Sequence, residues 1–140
     1  LPRGGTIKRR GYKVHTFEEL IEVTAKLRAP EGCPWDREQT HESLKKHLKE
    51  ECQEVLDAID SQDMENLCEE LGDVLFQVMI HSQIAAEKGD FTIADVVDGI
   101  CEKMIRRHPW VFGDVKLSSV QEGKELWQKI KEEEKAGKRR

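Results

Sequence analysis

Residues 41–88 read HESLKKHLKEECQEVLDAIDSQDMENLCEELGDVLFQVMIHSQIAAEK. Two acidic clusters, Glu50-Glu51-Cys52-Gln53-Glu54 and Glu69-Glu70-Leu71-Gly72-Asp73, stand in this stretch among apolar residues at helical spacing. At about 100° per residue, Leu44, Leu48, Cys52, Val55 and Ile59 fall roughly 20 to 100° from Glu51, and Glu54 falls about 60° to its other side. Glu51 therefore belongs to the packing face, and Glu54 borders it. On the second helix, Leu67, Leu71, Val74, Leu75, Val78 and Met79 cover one broad face, and Phe76 and Ile80 cover much of the other. Glu70, Asp73, Gln77 and His81 make up the remaining polar line, within roughly 80° of one another. A helix apolar nearly all round is predicted to be buried, so its polar line must find partners inside the protein. The stretch thus predicts helices from about His41 to Asp60 and from about Met64 to Lys88. Their short link predicts an antiparallel hairpin, in which the two carboxylate sets meet.

Acidic residues at helical spacing are commonly a solvated face, or partners of lysines on a neighbouring helix. The apolar surroundings argue otherwise here. Burying an unpaired carboxylate costs on the order of several kcal/mol, and four facing one another repel as well. Hard divalent ions resolve the conflict, because Mg²⁺ or Mn²⁺ takes oxygen ligands and bridges carboxylates to substrate phosphates. The sequence has no Cys-x-x-Cys pair, and these two helices have no Glu-x-x-His pair, which argues against zinc and di-iron sites. An oxygen-only set favours magnesium, with manganese as a substitute.

The rest of the chain continues as helices. Thr16-Phe17-Glu18-Glu19 is a capping box, opening a helix that ends before Pro30. Pro30 to Asp36, with two prolines and Gly32, is predicted as a rigid loop. Gly89 stops the helix that carries Glu70. Thr92 to Asp95 resembles a further helix start, with that helix reaching about Arg107. Ser119 to Glu122 caps a last helix containing Leu126, Trp127 and Ile130. No strand pattern competes. The predicted fold class is all-α: an antiparallel bundle of four to five helices, completed by dimerisation. Residues 1–14, rich in glycine and basic residues without periodicity, are expected to be a disordered linker or fusion boundary. The domain proper is expected over 15–136, with 137–140 a charged tail and the segment from Lys131 onward fraying.

Length and composition limit the function classes. The 140 residues are expected to make one domain. A net charge of −5 argues against nucleic acid as the main ligand, and no apolar run of membrane length or signal-peptide pattern appears. Cys33, Cys52, Cys68 and Cys101 are widely spaced, which suits reduced thiols. A cytoplasmic protein, without membrane or nucleic-acid partners, is expected.

Four motifs occur in order: Gly32-Cys33-Pro34-Trp35-Asp36, Glu50 to Glu54, Glu70 with Asp73, and Arg106-Arg107-His108-Pro109-Trp110-Val111-Phe112. Together, from about Phe17 to Glu134, they resemble the MazG family of nucleoside triphosphate pyrophosphohydrolases. The resemblance implies an all-α bundle, at least dimeric, that binds magnesium and hydrolyses a nucleoside triphosphate to monophosphate and pyrophosphate. It implies Glu51, Glu54, Glu70 and Asp73 as metal ligands and matches Glu50 to a further acidic position, read here as the base that takes a proton from water. Lys103 and Arg107, one turn apart on a shared face, match the pair that meets the triphosphate; the bland alternative is that they complement the helix dipole.

Trp35 and Trp110 are candidates for stacking on a nucleobase, and Trp127 for closing the pocket, although each tryptophan could equally be a packing anchor. Trp110 stands where similar motifs carry histidine. Gln77 and His81 are expected to support the ligands by hydrogen bonds, with a satisfied core histidine as the alternative for His81. Broad base preference, a homodimer or dimer of dimers, and a fused domain before Leu1 complete the expectation. The alternatives are a catalytically weak regulatory domain of a larger fusion protein and a purely structural dimerisation module.

Overall fold

The structure is a computed structural model that describes residues 14–138. Among these residues the elements are α1 (Phe17–Leu27), α2 (Pro34–Glu38), α3 (Lys45–Asp60), α4 (Met64–Glu87), α5 (Ile93–Arg107), α6 (Pro109–Phe112) and α7 (Val120–Lys138). No strand occurs among them, so the all-α class is met. The chain divides into two compact units, one reaching to Ile93 and one starting at Ala94.

Local chemistry sets most helix ends. Thr16 Oγ1 accepts from the Glu19 amide at 3.1 Å, and Asp63 accepts from the Asn66 amide at 3.1 Å, each satisfying a free donor of a first turn. Ser119 Oγ does the same for Glu122 at the start of α7. Helix α4 ends as predicted at Gly89, whose φ of 76° admits a Schellman cap. The Asp90 amide reaches the Ala85 carbonyl at 2.9 Å, and the Gly89 amide reaches that of Ala86 at 3.1 Å.

Three predicted boundaries differ. Helix α3 runs from Lys45, and residues 41–44 form a turn ahead of it, opened by a capping box in which the Thr40 and Ser43 side chains accept from each other's amides (3.0 and 2.9 Å) and closed by the Leu44 amide on the Thr40 carbonyl at 3.1 Å. The expected loop at 30–36 gives way at Pro34 to α2, since Pro34 supplies a ready first helical residue. Fraying from Lys131 is not found, because α7 persists to Lys138, aided by Gln128 bonding Glu132 and by arginines of α5 bonding Glu134. The linker expected over 1–14 lies outside the described residues except for Val14, as do the last two residues of the expected tail.

In the first unit, α3 and α1 both pack on α4. The three residues Ser61, Gln62 and Asp63 turn the chain between α3 and α4, with Gln62 at φ 56°. Leu44, Ile80 and Ile84 form the buried cluster, with Phe76 against it. Leu44→Ala is expected to destabilise the fold by about 3 kcal/mol, read as a lower denaturant midpoint; a shift near zero would show that this cluster does not hold the hairpin.

Arg28, with a side chain only 9% exposed, is a second fastening. It donates to both Glu87 oxygens at 2.9 Å and to the Asp36 and Gln39 carbonyls at 2.7 and 3.0 Å. The end of α1, the exit of α2 and the end of α4 are thereby tied together.

Within the single chain α4 is not buried on all sides. Leu71, Leu75 and Val78 are 50%, 41% and 37% exposed, because α3 and α1 cover only part of its surface. No described helix is long and apolar enough to cross a membrane.

Candidate active site

The hairpin does what the periodicity required of it. Running antiparallel, α3 presents Glu51 and Glu54 opposite Asp73 and Glu70 of α4, and one oxygen from each of the four lies within 4.8 Å of the others. Glu51 and Glu70 are partly covered, whereas Glu54 and Asp73 are exposed. The predicted dry interior is therefore a half-open cleft edge, because the other side of α4 lacks a covering helix within the unit.

Glu51 Oε2 and Glu70 Oε2 are nonetheless buried without a hydrogen-bond partner. Such atoms are uncommon in folded proteins and mark a missing partner. Glu70 is pushed up to about 7, first by its hydrogen bond with Glu54, then by burial and the charges of Glu54, Asp73 and Glu51. Burial first, then the neighbouring Glu54 and Asp73 charges, also raise Glu51. Without a cation, burial and mutual repulsion thus favour protonation within the cluster. An oxygen-only donor set with two uncovered lone pairs fits a hard divalent ion.

Other residues border this set. Glu50 is outside the four; it lies 4.0 Å from Lys46 and 3.8 Å from His47. Trp35 stands exposed on α2, its ring edge-on to His47 with centroids 5.5 Å apart. His47 lies one turn before Glu51, so α2 sets an aromatic face beside the helix that bears the acidic residues.

The second unit holds the basic and remaining aromatic candidates. Arg107 donates to Glu134 at 2.9 Å, as does Arg106. These bonds, that of Arg107 first, hold Glu134 down at about 2. The Arg107 guanidinium also lies 5.8 Å from the Trp127 ring centre, and Lys131 Nζ lies 4.4 Å from it. Lys103 is half-buried on α5. His108, Trp110, Gly123, Lys124 and Trp127 line a hollow of about 220 Å³, with His108 edge-on to Trp110 at 5.3 Å.

The MazG nucleotide pyrophosphohydrolase domain, as a family model, matches residues 39–112, more than half of the chain and the whole acidic hairpin. The chain belongs to the MazG family. It is 54% identical over 123 residues to the nucleoside triphosphate pyrophosphohydrolase/pyrophosphatase MazG of Thermotoga maritima, covering 88% of this chain and 47% of that protein. It is 50% identical over 129 residues to the uncharacterized protein YabN of Bacillus subtilis, covering 92% and 26%. To the nucleoside triphosphate pyrophosphohydrolase of Escherichia coli K12 it is 43% identical over 126 residues, covering 89% and 48%. The crystal structure of a mazG-related protein from Thermotoga maritima superposes with a TM-score of 0.68 at 30% identity, covering 82% of this chain and 98% of that one. The chain spans from about a quarter to about half of the length of the three relatives compared by sequence.

Three residues of this MazG domain were not singled out from sequence as site neighbours. His47 could have been found, since it precedes Glu51 by one turn on the same helix. Lys131 likewise follows Trp127 by one turn. His41 had no local signal: its Nδ1 meets His81 Nδ1 at 2.7 Å, across 40 residues of chain. His81, expected to support the acidic ligands, is bonded to His41 instead, and burial, then the His41 charge, lowers it.

Proposed function

We propose that this domain hydrolyses nucleoside triphosphates to nucleoside monophosphate and pyrophosphate with Mg²⁺, for which Mn²⁺ substitutes. The observation that carries this reading is the meeting of four carboxylates from two helices, two with a buried oxygen that nothing bonds. Glu51, Glu54, Glu70 and Asp73 would hold the ions. Bound there, divalent cations supply charge neutralisation for the phosphates and a more acidic water. Glu50, adjacent to the ligands and outside their set, is assigned to accept the proton, as its match to the family's further acidic position implies.

Lys103 and Arg107 neutralise the triphosphate, for which Arg107 exchanges or shares its bond with Glu134. Trp35, Trp110 and Trp127 offer flat faces to the base; stacking of that kind is tolerant of base identity, which supports a broad preference and a role in clearing or limiting nucleotide pools. The exposed row of Leu71, Leu75 and Val78 supports a second copy covering α4, as a dimer or a dimer of dimers. The unpaired cysteines support a cytoplasmic setting. Residues 15–136 are assigned as the functional domain. The longer relatives support a fused partner domain.

That partial coverage also favours a second reading, a regulatory domain that keeps the cluster and turns over weakly. Pyrophosphate release from standard, deoxy and deaminated triphosphates separates the two. Release with Mg²⁺ and none with chelator is expected; metal-dependent triphosphate binding without release would leave the regulatory reading, and neither binding nor release would leave a structural module.

A further inference from the structure

Among the described residues, the buried side-chain atoms that lack a hydrogen-bond partner are Glu51 Oε2, Glu70 Oε2, Gln77 Oε1 and His81 Nε2. Three belong to the single polar line of α4, and the fourth faces it from α3. A cation accounts for the two carboxylate oxygens. It does not account for Gln77, which is 7% exposed, nor for His81.

Gln77 stands one turn past Asp73, about 6 Å along the axis, and His81 about 12 Å. Residues four apart on a helix are neighbours with Cβ atoms roughly 5–6 Å apart, so one small polar group can meet both. The bond to His41 leaves one nitrogen of His81 for that group. His41 Nδ1 bonds His81 Nδ1 at 2.7 Å with the rings parallel to within 3°. When His41 donates, His81 carries its proton on Nε2 and presents a buried N–H donor. Gln77 Oε1 is a buried acceptor one turn earlier on the same helix. A hydroxyl, which gives one hydrogen bond and takes another, complements such a donor and acceptor and can displace a water from them. With the phosphates gripped by the acidic cluster, the sugar is the next part of a nucleotide along this line.

Resting on the function proposed above, we infer that Gln77 and His81, the latter oriented by His41, read a hydroxyl of the nucleotide sugar and make the site selective for it. The test compares kcat/KM for ribo-, 2′-deoxy- and 3′-deoxynucleoside triphosphates of one base. Loss of the hydroxyl that is read is expected to cost about tenfold or more in the parent, because the buried groups are then left unpaired. Gln77→Leu is expected to bring that ratio to about one through a raised KM, with kcat little changed. His41→Ala, which leaves Gln77 intact and frees His81 to turn, is expected to reduce the ratio in part. Thermal melts of both variants verify that they fold.

A merely structural glutamine gives the opposite pattern, in which Gln77→Leu keeps or raises the melting temperature and the sugar ratio stays at the parent value. Equal kcat/KM across the sugar series in the parent, or a Gln77→Leu effect confined to the choice of base, overturns the inference and leaves the hydrolase reading standing. Absence of metal-dependent binding and hydrolysis of every triphosphate overturns both.

Discussion

Glu70→Ala is expected to lower kcat for triphosphate hydrolysis about a thousandfold or more while leaving the metal-free protein at least as stable as the parent. The two halves come from one geometry. Glu70 offers an oxygen to the set of four and keeps Oε2 buried and unbonded, so on the proposed reading its removal would take away a ligand for the cations. Electrostatic stabilisation of a phosphoryl centre by bound cations is worth several kcal/mol, and about 4 kcal/mol corresponds to roughly a thousandfold in rate. In the absence of cations the same carboxyl is strained by Glu54, Asp73 and Glu51, and alanine relieves that repulsion at a helix-favouring position. Most substitutions to alanine in a packed region lose stability, and a gain here is the signature of a functional conflict. Pyrophosphate release and thermal melts in chelator test both halves. Mg²⁺ should raise the melting temperature of the parent and not that of the variant. Activity within about tenfold of the parent, or a marked loss of metal-free stability, would refute the assignment.

The second large effect is on pH dependence. An ordinary glutamate titrates at 4.5, whereas Glu70 in the folded metal-free protein is raised to about 7. Between these values the folded state keeps a proton that the unfolded chain has released. Stability contributed by that proton is therefore present at low pH and is lost as pH rises toward and through 7. Glu51 is shifted in the same direction. His81, which is lowered, acts oppositely below its ordinary 6.5. Glu87, Glu122 and Glu134 are lowered too, so their contributions change only at still more acid pH. Comparing parent with Glu70→Ala in chelator isolates the Glu70 contribution. The stability advantage of the variant is expected to be small near pH 5 and largest near pH 8. Cation binding must displace the retained proton, so Mg²⁺ affinity is expected to weaken about tenfold for each unit below pH 7, with proton release on binding. Calorimetry in buffers of different ionisation enthalpy measures that release. A variant advantage that shrinks as pH rises, or Mg²⁺ binding indifferent to pH between about 6 and 8, would contradict the arrangement.

Much of this was legible because helix phase and capping are local. Thr16, Asp63, Ser119 and Gly89 act on amides or carbonyls within five residues, so their signals lie in short windows of sequence. Phase also predicted correctly that Glu51, Glu54, Glu70 and Asp73 converge. Phase gives direction but not depth, which is why the α4 face bearing Leu71 and Leu75 was expected to be covered and is exposed. Residues 41–44, expected within α3, form a turn ahead of it that the reciprocal Thr40 and Ser43 bonds open.

The sequence by itself determined the five longer helices, the hairpin and the identity of the converging carboxylates, since each follows from spacing along one or two adjacent elements, whereas the short α2 and α6 were not predicted. Only the tertiary structure decided how open the acidic cleft is, that Arg28 fastens Glu87 from 59 residues away, that Glu134 holds Arg106 and Arg107, and that His41 orients His81. Those outcomes depend on which side chains meet after the helices pack, and the stabilisation of a buried charge or imidazole is set by that company rather than by its neighbours in the chain.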